Sequence, residues 1–429
     1  LLMAGLGLVA ISNAKGNRLF KFPFLFSGVW IAFVLMGFLE FIDPRNRLFA
    51  IYYDLGVLDM AFFVMFTAIL GGFLGYIIAG GSRPPSGEAQ LPATVRPALL
   101  RRMHVASCIV AAISYVAFLF LASLGGGLAA FILYSGNYNI VWEGLPVYLV
   151  FLVRFGYVAI VIQLWLWSRT GRASHLLLAI LFAAVPFINI IFLFRRSEVF
   201  IMGITFGYFL VNYGRLKLRR VHALAGLVVM YLVFKVFPIL RSEEGKRLSF
   251  SELFNSAMGP REDFSSSEIG AGLLRIYYSM SSGAFEYGAI FWNAFVNQFI
   301  PSGLVGASFK AALMLPELSS GYGDLAFTDF RFYVSPMGFA QAYQQFWIFG
   351  GIIFFIIGYL TAKLEQTRFR GPRQEVFLVL MLPALLSTVS ADLSLIVSRS
   401  ITYGVLVMLC IPSQKRVLST LPRSRRTHP

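Results

Sequence analysis

Apolar runs near bilayer length recur along this chain, and every second connector between them is basic. No other feature limits the fold as strongly. A helix needs about 20 apolar residues to cross the hydrocarbon core of a membrane. Runs approaching that length are read at 1–12, 23–41, 58–80, 104–123, 147–167, 176–194, 199–212, 221–238, 347–362, 376–392 and 396–412. In lipid every backbone polar group must be satisfied within the chain, and helices do this segment by segment. The expectation is an all-α, polytopic transmembrane bundle of about eleven membrane helices. Composition demands the same solvent: the chain is 58% hydrophobic and 13% charged, more apolar surface than a soluble domain of this length hides from water. The sequence opens inside an apolar run, Leu1-Leu2-Met3, so the first span is expected to be short or continued by preceding residues, and no cleaved signal peptide is read there.

The formal net charge of +16 raises the question of nucleic acid, and its distribution answers it. The connectors at 13–22, 81–103, 168–175, 213–220 and 363–375, with the tail from 413, hold most of the Lys and Arg and only Glu88, Glu365 and Glu375 among the acids. Positive charge in short alternate connectors reports membrane orientation, so these are assigned to the cytoplasm and no nucleic-acid partner is expected. The segment 239–346 then lies outside the cytoplasm. The chain is divided into N-terminal membrane helices (1–238), a large external loop (239–346), C-terminal membrane helices (347–412) and a basic cytoplasmic tail (413–429). Within the loop, 242–267 is polar, and 269–301 is aromatic and apolar, read as one or two helices lying in the membrane interface with Glu286 on an aromatic helix. The Gly-rich stretch Ser319-Ser320-Gly321-Tyr322-Gly323-Asp324 follows.

Arginines at the outer face are the informative residues. Arg154 falls within an apolar run, where a charge is costly unless it meets a partner or a polar cavity; a structural pair with Glu143 or Asp392 and a cavity holding a fixed positive charge are both open. Arg195 and Arg196 precede a helix, where guanidinium forks beside free backbone N–H groups suit an anion; snorkelling to lipid headgroups is the alternative. Arg241, Arg247 and Arg275 in the loop and Arg399 near the last helix complete a set suited to a strongly anionic lipid at the outer leaflet, such as a lipid-linked pyrophosphate. The acids Glu243, Glu244, Asp324, Asp329, Glu286 and Glu198 are each read first as solvated or paired; Glu198 opens a helix, where its charge favours the positive end. All four histidines, His104, His175, His222 and His428, are placed at cytoplasmic ends or in the tail, a full hydrocarbon layer of ~30 Å from the outer face. Ser-His-acid hydrolysis and a His-based metal site there are therefore not expected. Cys108 and Cys410 lie in apolar runs and form no ligand pattern. No metal and no cofactor is expected.

The layout resembles the bacterial O-antigen polymerase family, the oligosaccharide repeat-unit polymerases, which are related to O-antigen ligases. Arg195-Arg196-Ser197 opens a helix midway along, a large external loop precedes the last helices, and Tyr343, Phe349, Gly350 and Gly351 form a Tyr-x5-Phe-Gly-Gly pattern. The resemblance covers roughly 176–360, and the first half of the chain only by hydropathy. It implies a GT-C-like glycosyltransferase of the bacterial inner membrane with its active site facing the periplasm. Undecaprenyl-pyrophosphate-linked repeats would be the substrates, in contact with membrane lipids and with a chain-length regulator protein as a further partner. Arg196, Arg241, Arg275 and Arg399 are assigned to pyrophosphate, with Arg195 and Arg154 in reserve. Glu243, Glu244 and Asp324 are ranked as the acceptor base. Tyr277, Tyr278, Tyr322 and Trp292 either stack on sugar or, the favoured reading, anchor the loop. Ligases of this kind carry a histidine in the external loop; none is present here, which favours the polymerase. A ligase-like transferase and a lipid-linked oligosaccharide flippase or transporter are the alternatives, the latter expected to show internal repeats and interrupted helices, neither of which is read in the sequence. A purely structural assembly protein leaves the outer arginines without a reason.

Overall fold

The computed structural model describes residues 21–35, 56–81, 97–124, 127, 145–191, 196–213, short pieces of 225–240, 247–258, 268–316, 337–368 and 371–412. These are all-helical, with no strand among the described residues. In chain order the helices are α1 (Phe22–Val29, continued as a wider turn over Trp30–Leu35), α2 (Val57–Ile78), α3 (Pro97–Leu124), α4 (Leu145–Val153), α5 (Gly156–Thr170), α6 (Ala173–Phe182), α7 (Ala184–Ile191) and α8 (Arg196–Asn212). The loop region contributes α9 (Phe250–Met258), α10 (Glu268–Ser282), α11 (Ala289–Phe299), α12 (Ser302–Val305) and α13 (Ala307–Leu313). The chain then closes with α14 (Gly338–Phe346), α15 (Gly351–Thr367), α16 (Pro372–Ser387) and α17 (Leu395–Cys410).

Four helical stretches among the described residues are long and apolar enough to cross a membrane: Val57–Ile78, Pro97–Leu124, Tyr148–Thr170 and Gly338–Thr367. Phe22–Val34, Ala173–Phe182, Ser197–Asn212 and Leu395–Cys410 are shorter apolar helices. The outward sides of the long helices stay apolar, with Phe62, Phe66, Ile109, Val116, Leu119 and Ile352 exposed. That much exposed apolar surface is stable only against lipid, so this is a membrane protein.

Several expected spans are interrupted, contrary to the sequence reading. The 147–167 run is divided at Arg154-Phe155, the 176–194 run at Ala183, and the helix after the loop begins nine residues earlier than the apolar run, at Gly338, and turns at Trp347 with φ 52°. At the first break Arg154 N–H and Phe155 N–H bond three residues back, to Phe151 O (3.2 Å) and Leu152 O (3.0 Å). The carbonyl of Val153 accepts a hydrogen bond from Ser114 Oγ of α3 at 2.7 Å. Hydropathy averages over such a break because its neighbours are apolar, and the side chain that resolves it comes from another helix.

The tightest helix pair is α2 with α15. A Cβ on Gly75 would strike the carbonyl of Phe355 and lie 3.0 Å from Tyr359 N, and one on Gly351 would lie 2.8 Å from Thr67 O. Gly71 and Gly358 meet opposing backbone in the same way. Small residues one or two turns apart let membrane helices approach to backbone contact, where dispersion replaces the missing hydrophobic drive. Gly75→Val is expected to separate the pair at a cost of at least ~3 kcal/mol, the upper part of the usual overpacking range because backbone cannot rotate aside. The check is a thermal melt in detergent; a Tm within a few degrees of wild type would contradict the contact.

Described residues of the connectors assigned to one face meet at one end of the bundle. Glu365 of α15 accepts from Phe22 N–H (2.9 Å) and from Tyr76 Oη–H (2.7 Å), and Glu375 of α16 joins α5 and the end of α8 through Arg169 and Tyr213. The opposite end collects the α4–α5 break, the start of α8, α14 and the α16–α17 turn. Of the five loop helices, α10 packs on α14 and α2, and α11 on α17, so these two are seated on the bundle. Glu286 lies in the segment between them, not on a helix.

Candidate functional site at the arginine-bearing end

Two polar groups assemble at this end. The first is built from three separate helix starts. Arg154 stands exposed at the α4–α5 break, Glu198 is the third residue of α8, and Arg399 lies in the second turn of α17. Both guanidiniums act electrostatically on the Glu198 carboxylate, and all three charges act on the Tyr403 hydroxyl one turn below Arg399. Glu198 is an acid that Arg154 acts on, while Asp392 Oδ1 accepts from Gln341 Nε2 (3.2 Å) and Ser394 N–H (2.8 Å). Glu143 lies outside the described residues.

The second group is organised by α14, a short helix buried along almost its whole length although it carries three glutamines. Gln341, Gln344 and Gln345 share one face by their three- and four-residue spacing. Gln344 Oε1 accepts from Arg275 Nη1 of α10 at 2.6 Å, and Gln344 Nε2 donates to Glu286 Oε1 at 2.8 Å. Gln345 Nε2 donates to the other oxygen of Glu286, while Gln345 Oε1 accepts from Gly288 N–H at 2.9 Å. Gln341 Oε1 accepts from Leu393 N–H at 2.7 Å. Buried polar groups are stable when every donor and acceptor is used, and here the glutamine amides use theirs to fix α10, the 283–288 segment and the α16–α17 turn around one helix. Sequence reasoning missed these glutamines because Gln in a loop-end segment reads as solvated; the available signal was the pair Phe339 and Tyr343, two rings one helical turn apart beside them.

Of the other residues expected in the site, Arg196 opens α8 and only its backbone is described, while Arg195, Arg241, Glu243, Glu244, Tyr322 and Asp324 lie outside the described residues, as does Asp329. Arg247 is described and exposed. Tyr277 packs against the main apolar core, Tyr278 is half-buried, and Trp292 is pinned by donating Nε1–H to Leu313 O at 2.7 Å. Among the described residues no cluster of His, Cys, Asp and Glu has the geometry of a metal site.

The histidines require a correction of distance. His104 Nδ1 lies 3.1 Å from Gln163 Nε2, and His175 Nδ1 lies 2.9 Å from Gln163 Oε1. His104 stands ten residues from Ser114, the residue at the Arg154 break, or about 15 Å along α3. That is roughly half the separation expected from a full hydrocarbon layer, and still too long for proton transfer, which needs contact of about 3 Å. His222 and His428 lie outside the described residues.

No family model, no curated protein and no solved structure matches the chain. The pattern Tyr343, Phe349, Gly350, Gly351 nevertheless has a physical account of its own. A Cβ on Gly350 would lie 2.6 Å from the Ala342 carbonyl oxygen, Gly351 abuts Thr67, and Tyr343 is buried. The signature marks the fold-back of α14 on α15, a packing role.

Proposed function

We propose that this protein is a membrane-integral, GT-C-like glycosyltransferase that polymerises undecaprenyl-pyrophosphate-linked oligosaccharide repeats at the periplasmic face of a bacterial inner membrane, as in the O-antigen polymerase family. The observation that carries the reading is the convergence of Arg154 and Arg399 on one carboxylate at the end of the bundle away from the basic connectors, with Arg275 held on α14 at the same end. Arginines collected where orientation statistics do not place them call for an anionic ligand there. A guanidinium keeps its charge and offers a planar fork matched to phosphate oxygens. With pyrophosphate as leaving group, charge stabilisation and alignment are the main demands on the protein. Arg154 therefore moves from reserve to a principal pyrophosphate contact, and Arg399 and Arg275 stay among them.

The test is chain growth. Purified protein reconstituted with a lipid-linked repeat unit should convert it to a ladder of longer chains and release undecaprenyl pyrophosphate. A second reading, a flippase or transporter for the same lipid, is favoured by the helix breaks at Arg154, Ala183 and Trp347, since interrupted helices line transport sites. Movement of the lipid between leaflets without chain growth would select it.

Orientation is tested separately. In a background lacking Cys108 and Cys410, a cysteine replacing exposed Ser281 at the arginine-bearing end should react with an impermeant thiol reagent in intact spheroplasts. One replacing exposed Ser174 at the other end should react only after lysis. The opposite pattern would place the site in the cytoplasm.

A further inference from the structure

We propose that Glu198 is the resident counter-ion of Arg154 and Arg399 and becomes the proton acceptor once a diphosphate takes those arginines from it. The proton-acceptor half rests on the glycosyl-transfer reading above; the counter-ion half does not. The sequence gives Glu198 no distinction beyond its place at a helix start, and the ranked bases were loop acids. Tertiary structure sets it apart through a contrast among the carboxylates.

Three other carboxylates of the bundle use both oxygens. Glu375 accepts from Trp165 Nε1 (2.9 Å) and Arg169 (2.8 Å) on one oxygen and from the Tyr213 hydroxyl on the other. Glu365 accepts Phe22 N–H on one and the Tyr76 hydroxyl on the other, and Glu286 accepts one glutamine amide on each. These are structural acids. Glu198 differs: its Oε2 is buried and has no hydrogen-bond partner among the described residues, although two guanidiniums act on the group. A carboxylate oxygen buried without a donor costs stability, and such a cost is retained where a ligand supplies the missing partner.

The charges give the sequence of events. Among the described residues, two arginines and one glutamate leave the cluster one positive charge in excess, so a diphosphate competes with the Glu198 carboxylate for both forks. With its counter-charges engaged by the diphosphate, the buried Glu198 carboxylate becomes more basic, beside the place where the acceptor sugar must approach. As the acceptor hydroxyl oxygen bonds to the anomeric carbon, the bond from that carbon to the phosphate oxygen breaks. Its electron pair leaves on the diphosphate, and the hydroxyl proton passes to the free Glu198 oxygen and on to water as the site empties.

The experiment uses the full chain in lipid nanodiscs with two probes, inorganic diphosphate for binding and a lipid-linked repeat unit for chain growth. Glu198→Gln removes the competing charge and is expected to bind diphosphate several-fold more tightly. It should lose about a hundredfold or more in kcat, the range of general-base catalysis, with KM for the lipid-linked donor no higher than wild type. Arg399→Gln is expected to weaken diphosphate at least about tenfold, as loss of a charge-assisted fork requires. Glu198→Asp, which keeps the charge and the fold should the amide variant fail to insert, should bind diphosphate like wild type and turn over at an intermediate rate. Chain growth by Glu198→Gln within threefold of wild type would overturn the proton-acceptor role, and weaker diphosphate binding by that variant would overturn the counter-ion role. Wild-type protein that binds diphosphate through Arg399 and yet extends no lipid-linked chain would remove the glycosyl-transfer reading and the proton acceptor with it, while the diphosphate comparison still decides the counter-ion.

Discussion

Glu375→Ala is expected to destabilise the protein by about 3–5 kcal/mol, the cost of stripping one partner from a buried ion pair. Glu375 is 0% exposed and its partner Arg169 21%. Arg169 also lies over the rings of Trp165 (5.4 Å) and Tyr213 (5.0 Å), so it cannot swing to water without leaving both. Burial first, and the Glu375 carboxylate second, hold the Tyr213 hydroxyl well above its ordinary range, which keeps it protonated and donating. Removing the carboxylate leaves the Arg169 cation without its counter-ion, and the Tyr213 hydroxyl and the Trp165 indole N–H without their acceptor, at the junction of α5, α8 and α16. The measurement is a thermal melt of purified protein in detergent, with Glu375→Gln losing less because it keeps the volume and an acceptor. An alanine variant that melts with wild type would mean the junction is not a source of stability. Arg169→Met combined with Glu375→Leu should recover much of the loss, since replacing a whole buried pair by apolar groups is often neutral.

Arg399→Ala is expected to lower chain growth from a lipid-linked donor by about 10²–10³, the effect of removing one preorganised donor from a developing oxyanion. Arg154→Ala should fall in the same range. Lysine at either position should restore less than about a tenth of the activity, because a point charge does not reproduce a bidentate fork. Both residues lie at helix ends and neither is fully buried, so insertion and melting should stay close to wild type. The check is product-ladder formation per unit of inserted protein. Full activity in both alanine variants would remove the pyrophosphate assignment from this cluster.

The sequence by itself determined the class of solvent and the alternation of ends. Runs such as 58–80 and 104–123 became α2 and α3 because a stretch of that length and apolarity is stable only as a helix against lipid. The described residues of the basic connectors, such as Phe22 with Glu365 and Arg169 with Glu375, meet in pairs that tie the ends of separate helices together. Glycines 71, 75, 351 and 358 were visible as letters, but their pairing across α2 and α15 was not, since helix contact depends on which faces meet. Tertiary structure alone decided the site. The break that exposes Arg154 is relieved by Ser114 from α3, a partner 39 residues away. The burial of Gln341, Gln344 and Gln345 is made stable by acceptors and donors from α10, the 283–288 segment and the α16–α17 turn. Glu198 acquired its character from Arg154 and Arg399, which lie 44 residues before it and 201 after it in the chain. The physical reason is the same in each case. Hydropathy is a local sum that one strand of sequence can report, whereas the state of a charge or an amide in low dielectric is fixed by the few groups that surround it in space.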